Sequence, residues 1–276
     1  MRIPVDQVPL QFRRRAAQRV ENIHGSGVPQ RELLRLGSEA CAIYRPDVQG
    51  VAYHEFEVVW ARPSGNPKRQ GFVLASTGGH DFPIPDWSLE RRAPSRELEQ
   101  EARVAGKQLA KVFRLDAMAY VGQSDDGEIA AILGHILPGE SWSKLLEGYR
   151  DSSGAASESL RRQAAPEWEI ERILEEFGRG LRGGESYRVA LLKPQASVEV
   201  SGPGAAFVDP EILDREGMAS AVELSVSDPM SNVRAEFDLH IQYADGEKET
   251  LKFFVAGRLV STEDQADPDK KSLFRD

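Results

Sequence analysis

Hydrophobic residues recur at helical spacing in two segments of the first half of the chain. In Pro29–Tyr44 they fall three, four and seven residues apart, which is typical of one face of a helix. Ser95–Phe113 has a similar stripe, with glutamates in its first turns and basic residues towards its end, as the helix dipole favours. Both segments are therefore predicted to be helices.

Alternating apolar and polar residues predict strands between and after these helices. Val51–Trp60 and Gly71–Ser76 are expected to pair as a hairpin with a long loop. Ala117–Gly122 and Glu128–Ile136 form a second expected hairpin, joined by a turn that contains Asp-Gly. The first half then has the order helix–strand–strand twice, an αββαββ-like domain with its helices on one face of an antiparallel sheet.

The second half of the chain changes from helical patterns to strand patterns. Apolar stripes between residues 142 and 177 predict a helical connector. Beyond Tyr187 short strands prevail, and the strongest, Asn232–Tyr243, continues through an Asp-Gly turn into Glu249–Ala256. This hairpin is predicted to belong to a small antiparallel β-sandwich. The expected organisation is an α+β domain at 1–137, a helical connector at 138–184, a β-rich domain at 185–261 and a flexible tail at 262–276.

Composition and charge narrow the class of protein. The 276 residues include 35 Lys+Arg against 44 Asp+Glu, a formal net charge of −9, which makes a nucleic acid or an anionic membrane a poor partner. No apolar run approaches the roughly 18 residues that a membrane helix needs. Arg13–Arg15 is interpreted as a solvated helix face. Met1–Val20 lacks the apolar core of a secretory signal and the chain has one cysteine, so the cytoplasm is the expected location.

The reactive residues favour no particular enzyme chemistry. Cys41 lies on an apolar stripe between alanines, which indicates a core residue rather than a nucleophile. The five histidines do not occur at close metal-ligand spacing, so neither a metal nor another cofactor is predicted. His54 is expected in the core and His240 in solvent. Glu55 and Glu57 share a strand face, where a solvated sheet surface is favoured over an acid/base pair.

The segment Thr77–Trp87 carries the candidate site. Its two glycines and two prolines predict irregular structure, and loops often hold binding residues. A histidine beside an aspartate is the best candidate for acid/base chemistry, and three apolar residues among the prolines are of the kind that anchor interfaces. For the histidine, a structural interpretation is favoured over a functional one, namely a Gly-Gly turn that leads into a packed Phe-Pro-Ile-Pro segment. The candidate binding residues are His80, Asp81, Phe82, Ile84 and Trp87.

Residues 40–87 carry a succession of motifs found together elsewhere. A helix ending in Ala-Cys-Ala-Ile-Tyr is followed by the strand Gly50–Glu57, the strand Gly71–Ser76 and a Phe-Pro-Ile-Pro loop. The succession resembles the pro-domain and inhibitor modules of streptopain-type cysteine peptidases. The resemblance implies a module that blocks a peptidase cleft with a loop or helix and has no chemistry of its own. The chain departs from the full-length peptidases because nothing after Gly180 offers a cysteine.

Three functions compete on this basis. The first is a non-enzymatic protein-binding module, inhibitor-like or accessory, whose partner is another protein; a peptidase is the partner that the resemblance implies. The second is an enzyme with a dispersed site around His80 that uses Asp81, Glu55 or Glu57. The third is an assembly subunit that pairs through the edge of the C-terminal hairpin. The poor inventory of catalytic groups favours the first, and no residue is predicted to be catalytic.

Overall fold

The computed structural model describes residues 2–25, 33–61, 68–134, 142–144, 181–184, 186–215, 218–227 and 234–256. The fold is α+β, with many strands and few helices. The chain divides into two compact units. The first comprises Met1–Arg172, Ala190–Leu192 and Asp214–Ser220, and the second comprises Ile173–Val189, Lys193–Leu213 and Ala221–Asp276.

One eight-stranded sheet forms the centre of the first unit. Its strands are β1 (Arg2–Pro4), β2 (Leu33–Tyr44), β3 (Val51–Ala61), β4 (Lys68–Ser76), β5 (Asp86–Ser88), β6 (Lys111–Arg114), β7 (Tyr120–Gln123) and β8 (Ile129–Leu133). Their order is β5-β4-β3-β2-β6-β7-β8, with β1 also paired to β2. Neighbouring strands are antiparallel except for the parallel pair β2 and β6. The expected hairpins β3–β4 and β7–β8 are confirmed.

Two helices, α1 (Leu10–Gly25) and α2 (Pro94–Val104), cover opposite faces of this sheet. Phe12, Ala16 and Val20 of α1 share a buried cluster with Val73 of β4. Leu98 and Ala102 of α2 share another cluster with Leu74, the next residue of the same strand. Because successive strand residues point to opposite faces, the two helices lie on different sides. The expectation that both helices cover one face is therefore wrong.

The predicted helix at Pro29–Tyr44 is also wrong, because residues 33–44 form the central strand β2. Both faces of β2 are covered, so its buried residues fall in two apolar runs that do not alternate, Leu33–Leu34 and Ala40–Ile43. A bulge between Leu36 and Ala40 adds residues opposite β3 and displaces the alternation further. Together these effects produce the three- and four-residue spacing that resembles a helix.

The first helix of the chain is α1 and not the predicted Pro29–Tyr44. Its basic residues do not form the expected solvated face. Arg13 and Arg14 are buried. The Arg13 Nε atom donates to the carbonyl of Val8 at 3.0 Å, and Arg14 donates to the carbonyl of Ala190, which belongs to the same unit. A backbone oxygen accepts from each of these guanidinium groups, which lowers the cost of burying them.

The helix α2 ends nine residues before the predicted end at Phe113. Gly106 adopts a φ of +70° and its N–H donates to the carbonyl of Arg103, while the N–H of Lys107 donates to that of Ala102. This is a Schellman motif, which terminates the helix. Val112 and Phe113, the last apolar residues of the predicted helix, belong to β6.

The strands after residue 180 are β9 (Leu181–Arg182), β10 (Ser186–Ala190), β11 (Ala196–Ser201), β12 (Val208–Arg215), β13 (Met218–Val226), β14 (Arg234–Tyr243) and β15 (Lys248–Ala256). They form two smaller sheets, in the orders β10-β13-β12 and β11-β14-β15-β9. The hairpin of β14 and β15 confirms the strongest strand prediction.

Of the expected helical connector, residues 142–144 are helical, whereas β9 is a strand that pairs with β15 and residues 183–184 form a turn. The other residues of the connector and the expected tail lie outside the described residues.

Neither helix, nor any other helical stretch among the described residues, has the length and apolar character needed to cross a membrane.

Candidate functional site

The segment between β4 and β5 is tied to the start of β3 by its first residue. The hydroxyl of Thr77 donates to the carbonyls of Val51 and Ala52, at 2.6 and 3.0 Å, and its N–H donates to Ala52 at 3.0 Å. The N–H of Ser76 donates to the carbonyl of Pro83, which closes the segment at its other end. The loop therefore has a fixed path, although it contains little regular structure.

Asp81 is the centre of a polar cluster beneath this loop. Its Oδ2 atom accepts from the hydroxyl of Tyr53 at 2.8 Å and from the Nη1 of Arg114 at 2.9 Å. Its Oδ1 atom accepts from the N–H of Phe82 at 2.8 Å. Arg45 donates to the oxygen of Tyr53 at 3.1 Å. Three elements, β3, the loop and β6, thus meet at one carboxylate.

The protonation of Tyr53 suits this arrangement. Burial and the neighbouring charge of Asp81 raise the pKa of Tyr53 to about 12, although Arg45 and Arg114 act in the opposite direction. The phenol therefore keeps its proton at neutral pH and remains a donor to Asp81. The cluster holds the loop in place, and the phenol of Tyr53 does not give up its proton at neutral pH.

His80 lies next to Asp81 but makes a different contact. Its Nε2 atom is 3.3 Å from the hydroxyl of Ser76, and its ring meets the ring of Tyr53 edge-on at 5.2 Å. The hydroxyl of Ser76 donates to the carbonyl of Gly78 at 2.8 Å. Within the described part of the chain, no carboxylate lies within hydrogen-bond distance of the His80 ring. His80 therefore helps to close the Gly-Gly turn.

This geometry gives little support to nucleophilic chemistry. Burial and then the charge of Arg45 lower the pKa of His80, while Asp81 and Asp47 oppose the change. A neutral histidine beside a serine is the pairing used for nucleophilic catalysis. Here, however, Ser76 is fully buried and its hydroxyl is engaged by a backbone carbonyl, so a substrate cannot reach it.

The apolar residues of the loop divide into two groups. Phe82 is 50% exposed and Trp87 is 38% exposed, as a binding surface requires. The guanidinium of Arg19 lies 4.7 Å from the centre of the Trp87 ring, which orients the indole. Ile84, by contrast, packs against the buried cluster that includes Phe12. The loop presents two aromatic residues outward and uses its isoleucine as an anchor.

The expected solvated face at Glu55 and Glu57 is instead buried beneath α2. Both side chains are buried, and the N–H of Ser95 donates to the Oε2 of Glu55 at 3.2 Å. The hydroxyl of Ser95 donates to the other oxygen. Glu57 pairs with Arg96 of α2 and with Arg2. Because the carboxylate of Glu55 meets the N-terminus of α2, it stabilises that helix end and is closed to a substrate.

The protonation of two groups in this buried region is shifted strongly. Burial raises the pKa of Glu55 to about 7, although its hydrogen bonds to Ser95 act in the opposite direction. Burial, followed by the charge of Glu55, raises the pKa of Cys41 to about 12. The fully buried thiol is therefore protonated and unreactive, as expected for a core residue.

The two strand histidines occupy different surroundings. His54 is buried between the rings of Phe12 and Phe56, and burial lowers its pKa to about 4, which agrees with its predicted place in the core. His240 does not point freely into solvent, because its ring nitrogens contact Ser201 at 2.8 Å and Thr250 at 3.1 Å. Among the described residues, no group of three or more potential ligands is placed to hold a metal ion.

The sequence did not identify Arg45, Tyr53 and Arg114 as members of the site. Tyr53 lies 28 positions before Asp81, and Arg114 lies 33 positions after it. No local motif connects residues on separate elements at these distances. The one signal in the sequence is Asp81 itself, because a carboxylate that lies between His80 and Phe82 in a packed loop needs a hydrogen-bond partner from another element.

No protein-family model, curated protein or solved structure matches this chain.

Proposed function

We propose that this chain is a non-enzymatic protein-binding module that contacts its partner through the segment Thr77–Trp87. The observation that carries the proposal is the exposure of Phe82 and Trp87 on a backbone that buried bonds hold in place. Large aromatic side chains are the usual anchors of protein interfaces.

The fixed path of the loop favours binding. A loop that must be ordered on contact loses affinity to conformational entropy, and one already ordered avoids most of that cost. Asp81 and Thr77 order the backbone beside Phe82, while Arg19 orients the ring of Trp87. The segment is therefore pre-organised to present both aromatic rings.

A peptidase is the partner class that the sequence resemblance implies, and the presented loop fits that role. The helix that formed part of the resemblance is the strand β2, so the support comes from the loop alone.

The cytoplasm is the proposed location. The finer architecture belongs to the same proposal, namely a β-sandwich formed by the two sheets after residue 180. It is supported by the buried residues Val222 and Leu224 on β13 and Phe237 and Leu239 on β14.

The other two functions have weaker support. An enzyme around His80 would need an accessible nucleophile or carboxylate, and Ser76, Glu55 and Glu57 are all buried. Assembly through the C-terminal hairpin would need an open strand edge. One side of that hairpin is occupied, since β11 pairs with β14 over six residues.

Affinity capture with matched variants tests the proposal. We expect Phe82→Ala/Trp87→Ala to lose the partners that the wild-type chain retains. Val104→Ala/Met118→Ala, which removes two other exposed apolar side chains, is expected to retain them. Inhibition of a streptopain-type peptidase, measured with a peptide substrate, tests the partner class separately. Equal capture by both double variants, with both folded by circular dichroism, would exclude this segment as the contact surface.

A further inference from the structure

A cavity of about 470 Å³ opens at the end of β2, at a distance in sequence from the loop described above. This volume lies within the range of small-molecule sites in proteins. Its lining includes three aromatic and two basic side chains, and among the described lining residues none is a carboxylate. The residues that matter for the argument are Tyr44, Arg45, Lys111, Phe113, Gln123 and Trp142.

The aromatic part of the cavity follows from the central strand pairing. Tyr44 of β2 lies opposite Phe113 of β6 in the parallel register, and their ring centroids are 5.8 Å apart. The ring of Trp142 lies 4.6 Å from that of Phe113. All three side chains are only half-buried, so their rings form a continuous apolar surface that still faces the cavity.

The two cations of the lining differ in availability. Arg45 is engaged by both oxygens of Asp47, at 2.9 and 2.7 Å. Lys111 is exposed, with its Nζ atom 5.6 Å from the ring centre of Tyr44. Within the described part of the chain, no carboxylate lies within ion-pair distance of Lys111. Lys111 is therefore the ammonium group that can receive an anion.

A hydrogen-bond acceptor lies beside this lysine. Gln123 of β7 pairs with Lys111 in the antiparallel register, and its Nε2 atom donates to the carbonyl of Gly127 at 2.8 Å. That bond engages the amide nitrogen and leaves the amide oxygen of this lining residue as an acceptor. The cavity thus offers an aromatic surface, a cation and one acceptor in close succession.

We propose that this cavity binds a small planar aromatic molecule that carries a phosphate or carboxylate group. The ring stacks on Phe113 and Trp142, and the anionic group pairs with Lys111. A cationic ligand would be repelled by Lys111 and Arg45. An aliphatic ligand would gain little from the three aromatic rings. This binding activity is distinct from the protein contact proposed at Thr77–Trp87, although Arg45 of the lining also donates to the carbonyl of His80 in that segment, at 3.4 Å.

Calorimetric titration of the full chain with two pairs of probes tests the proposal. One pair is adenosine 5′-monophosphate and adenosine, and the other is 1-naphthoate and 1-naphthamide. We expect at least one anionic member to bind with one-to-one stoichiometry and about tenfold more tightly than its neutral counterpart. The pair that shows the preference identifies phosphate or carboxylate as the recognised group. Absence of saturable binding by both anionic probes would overturn the proposal.

Variants at two lining residues, each with a control, assign the roles of Lys111 and Trp142. Lys111→Gln is expected to abolish the preference for the anionic probe, whereas Lys252→Gln, an exposed lysine on β15, is expected to preserve it. Trp142→Ala should weaken the anionic and neutral probes alike, by about tenfold, because it removes the stacking surface. The conservative Trp142→Phe is expected to retain most of the affinity. An unchanged anion preference in Lys111→Gln would refute the assigned site.

Discussion

The hydroxyl of Tyr53 donates a hydrogen bond of 2.8 Å to the carboxylate of Asp81, and this bond joins the central sheet to the exposed loop. The same oxygen of Asp81 pairs with Arg114, whose side chain is 6% exposed. Removal of Asp81 would leave a buried guanidinium without its counter-charge. The loop and the stability of the first unit are therefore energetically coupled.

We expect Asp81→Ala to lower the free energy of unfolding by about 3 kcal/mol, since a buried cation loses its partner. Tyr53→Phe should cost about 1 kcal/mol, the usual worth of one hydrogen bond. Urea denaturation followed by circular dichroism measures both values. In a double-mutant cycle the two losses should not add, because both variants break the same contact. Fully additive losses would show that the two residues act independently.

Glu55 should make stability depend on pH in an unusual direction. Its pKa in the folded chain is about 7, above its ordinary value of 4.5. Between these values the folded state binds more protons than the unfolded state, so stability falls as the pH rises. The contribution is complete below pH 4.5 and is lost as the pH passes through 7. Above pH 7 the difference is on the order of 3 kcal/mol.

Glu55→Gln should remove this pH dependence and be more stable than the wild type at pH 8, because a neutral amide still bonds to Ser95. Denaturation at pH 5 and pH 8 gives the comparison. Glu57→Gln is the matched control, and it should destabilise at pH 8 because it breaks the pair with Arg96. The charged groups that act on Glu55 are Arg2, which lowers its pKa, and Glu57, which raises it. If the stability of the wild type and that of Glu55→Gln changed by the same amount between pH 5 and pH 8, the raised pKa assigned to Glu55 would be contradicted.

How far the fold follows from the sequence depends on how many faces of each element are buried. Strand β14 has one buried face, and its strict alternation was recognised with nearly correct bounds. Strand β2 is covered on both faces and contains a bulge. Its hydrophobic residues therefore do not alternate with polar ones, and their spacing resembles that of a helix. The burial of Glu55 and Glu57 was not predicted for a related reason, because their partners come from other elements. Ser95 of α2 bonds to Glu55, and Arg96 of α2 and Arg2 of β1 pair with Glu57.

The candidate site shows the same limit. The loop could be recognised because glycine and proline act locally on the backbone. The exposure of Phe82 did not follow from its neighbours, because the same Phe-Pro-Ile-Pro stretch also fits a packed segment, and Ile84 does pack against the buried cluster. The partners of Asp81 did not follow either, since Tyr53 and Arg114 reach it only after three elements have come together. The cavity at Tyr44 and Phe113 depends on a parallel register that no local pattern specifies.

Cys41 should be inert to thiol reagents in the native chain. It is fully buried, and its raised pKa of about 12 keeps the thiol protonated. We expect 5,5′-dithiobis(2-nitrobenzoate) to react with one thiol per chain in 6 M guanidinium and with almost none in buffer. Cys41→Ala, which shows no reaction in either condition, serves as the blank. Rapid stoichiometric labelling of the native chain would mean that this core cluster opens readily.

Gly71→Ala should disturb the edge strand that carries Trp87 without altering either exposed aromatic residue. A Cβ atom at Gly71 would lie 1.8 Å from the carbonyl oxygen of Ser88 and 2.7 Å from the Cα of Leu89, both backbone atoms. The pairing of β4 with β5 must then separate, because neither contact can be relieved by a side-chain rotation. Hydrogen exchange measured by mass spectrometry should show faster exchange at residues 86–88, and partner capture should fall as it does in Phe82→Ala/Trp87→Ala. Gly50→Ala is the control, since nothing lies within 4 Å of its Cβ position, although its φ of +86° costs about 1 kcal/mol. If Gly71→Ala exchanged faster at 86–88 yet captured the partner as well as the wild type, the position of Trp87 would be irrelevant to binding and the proposed contact surface would reduce to Phe82.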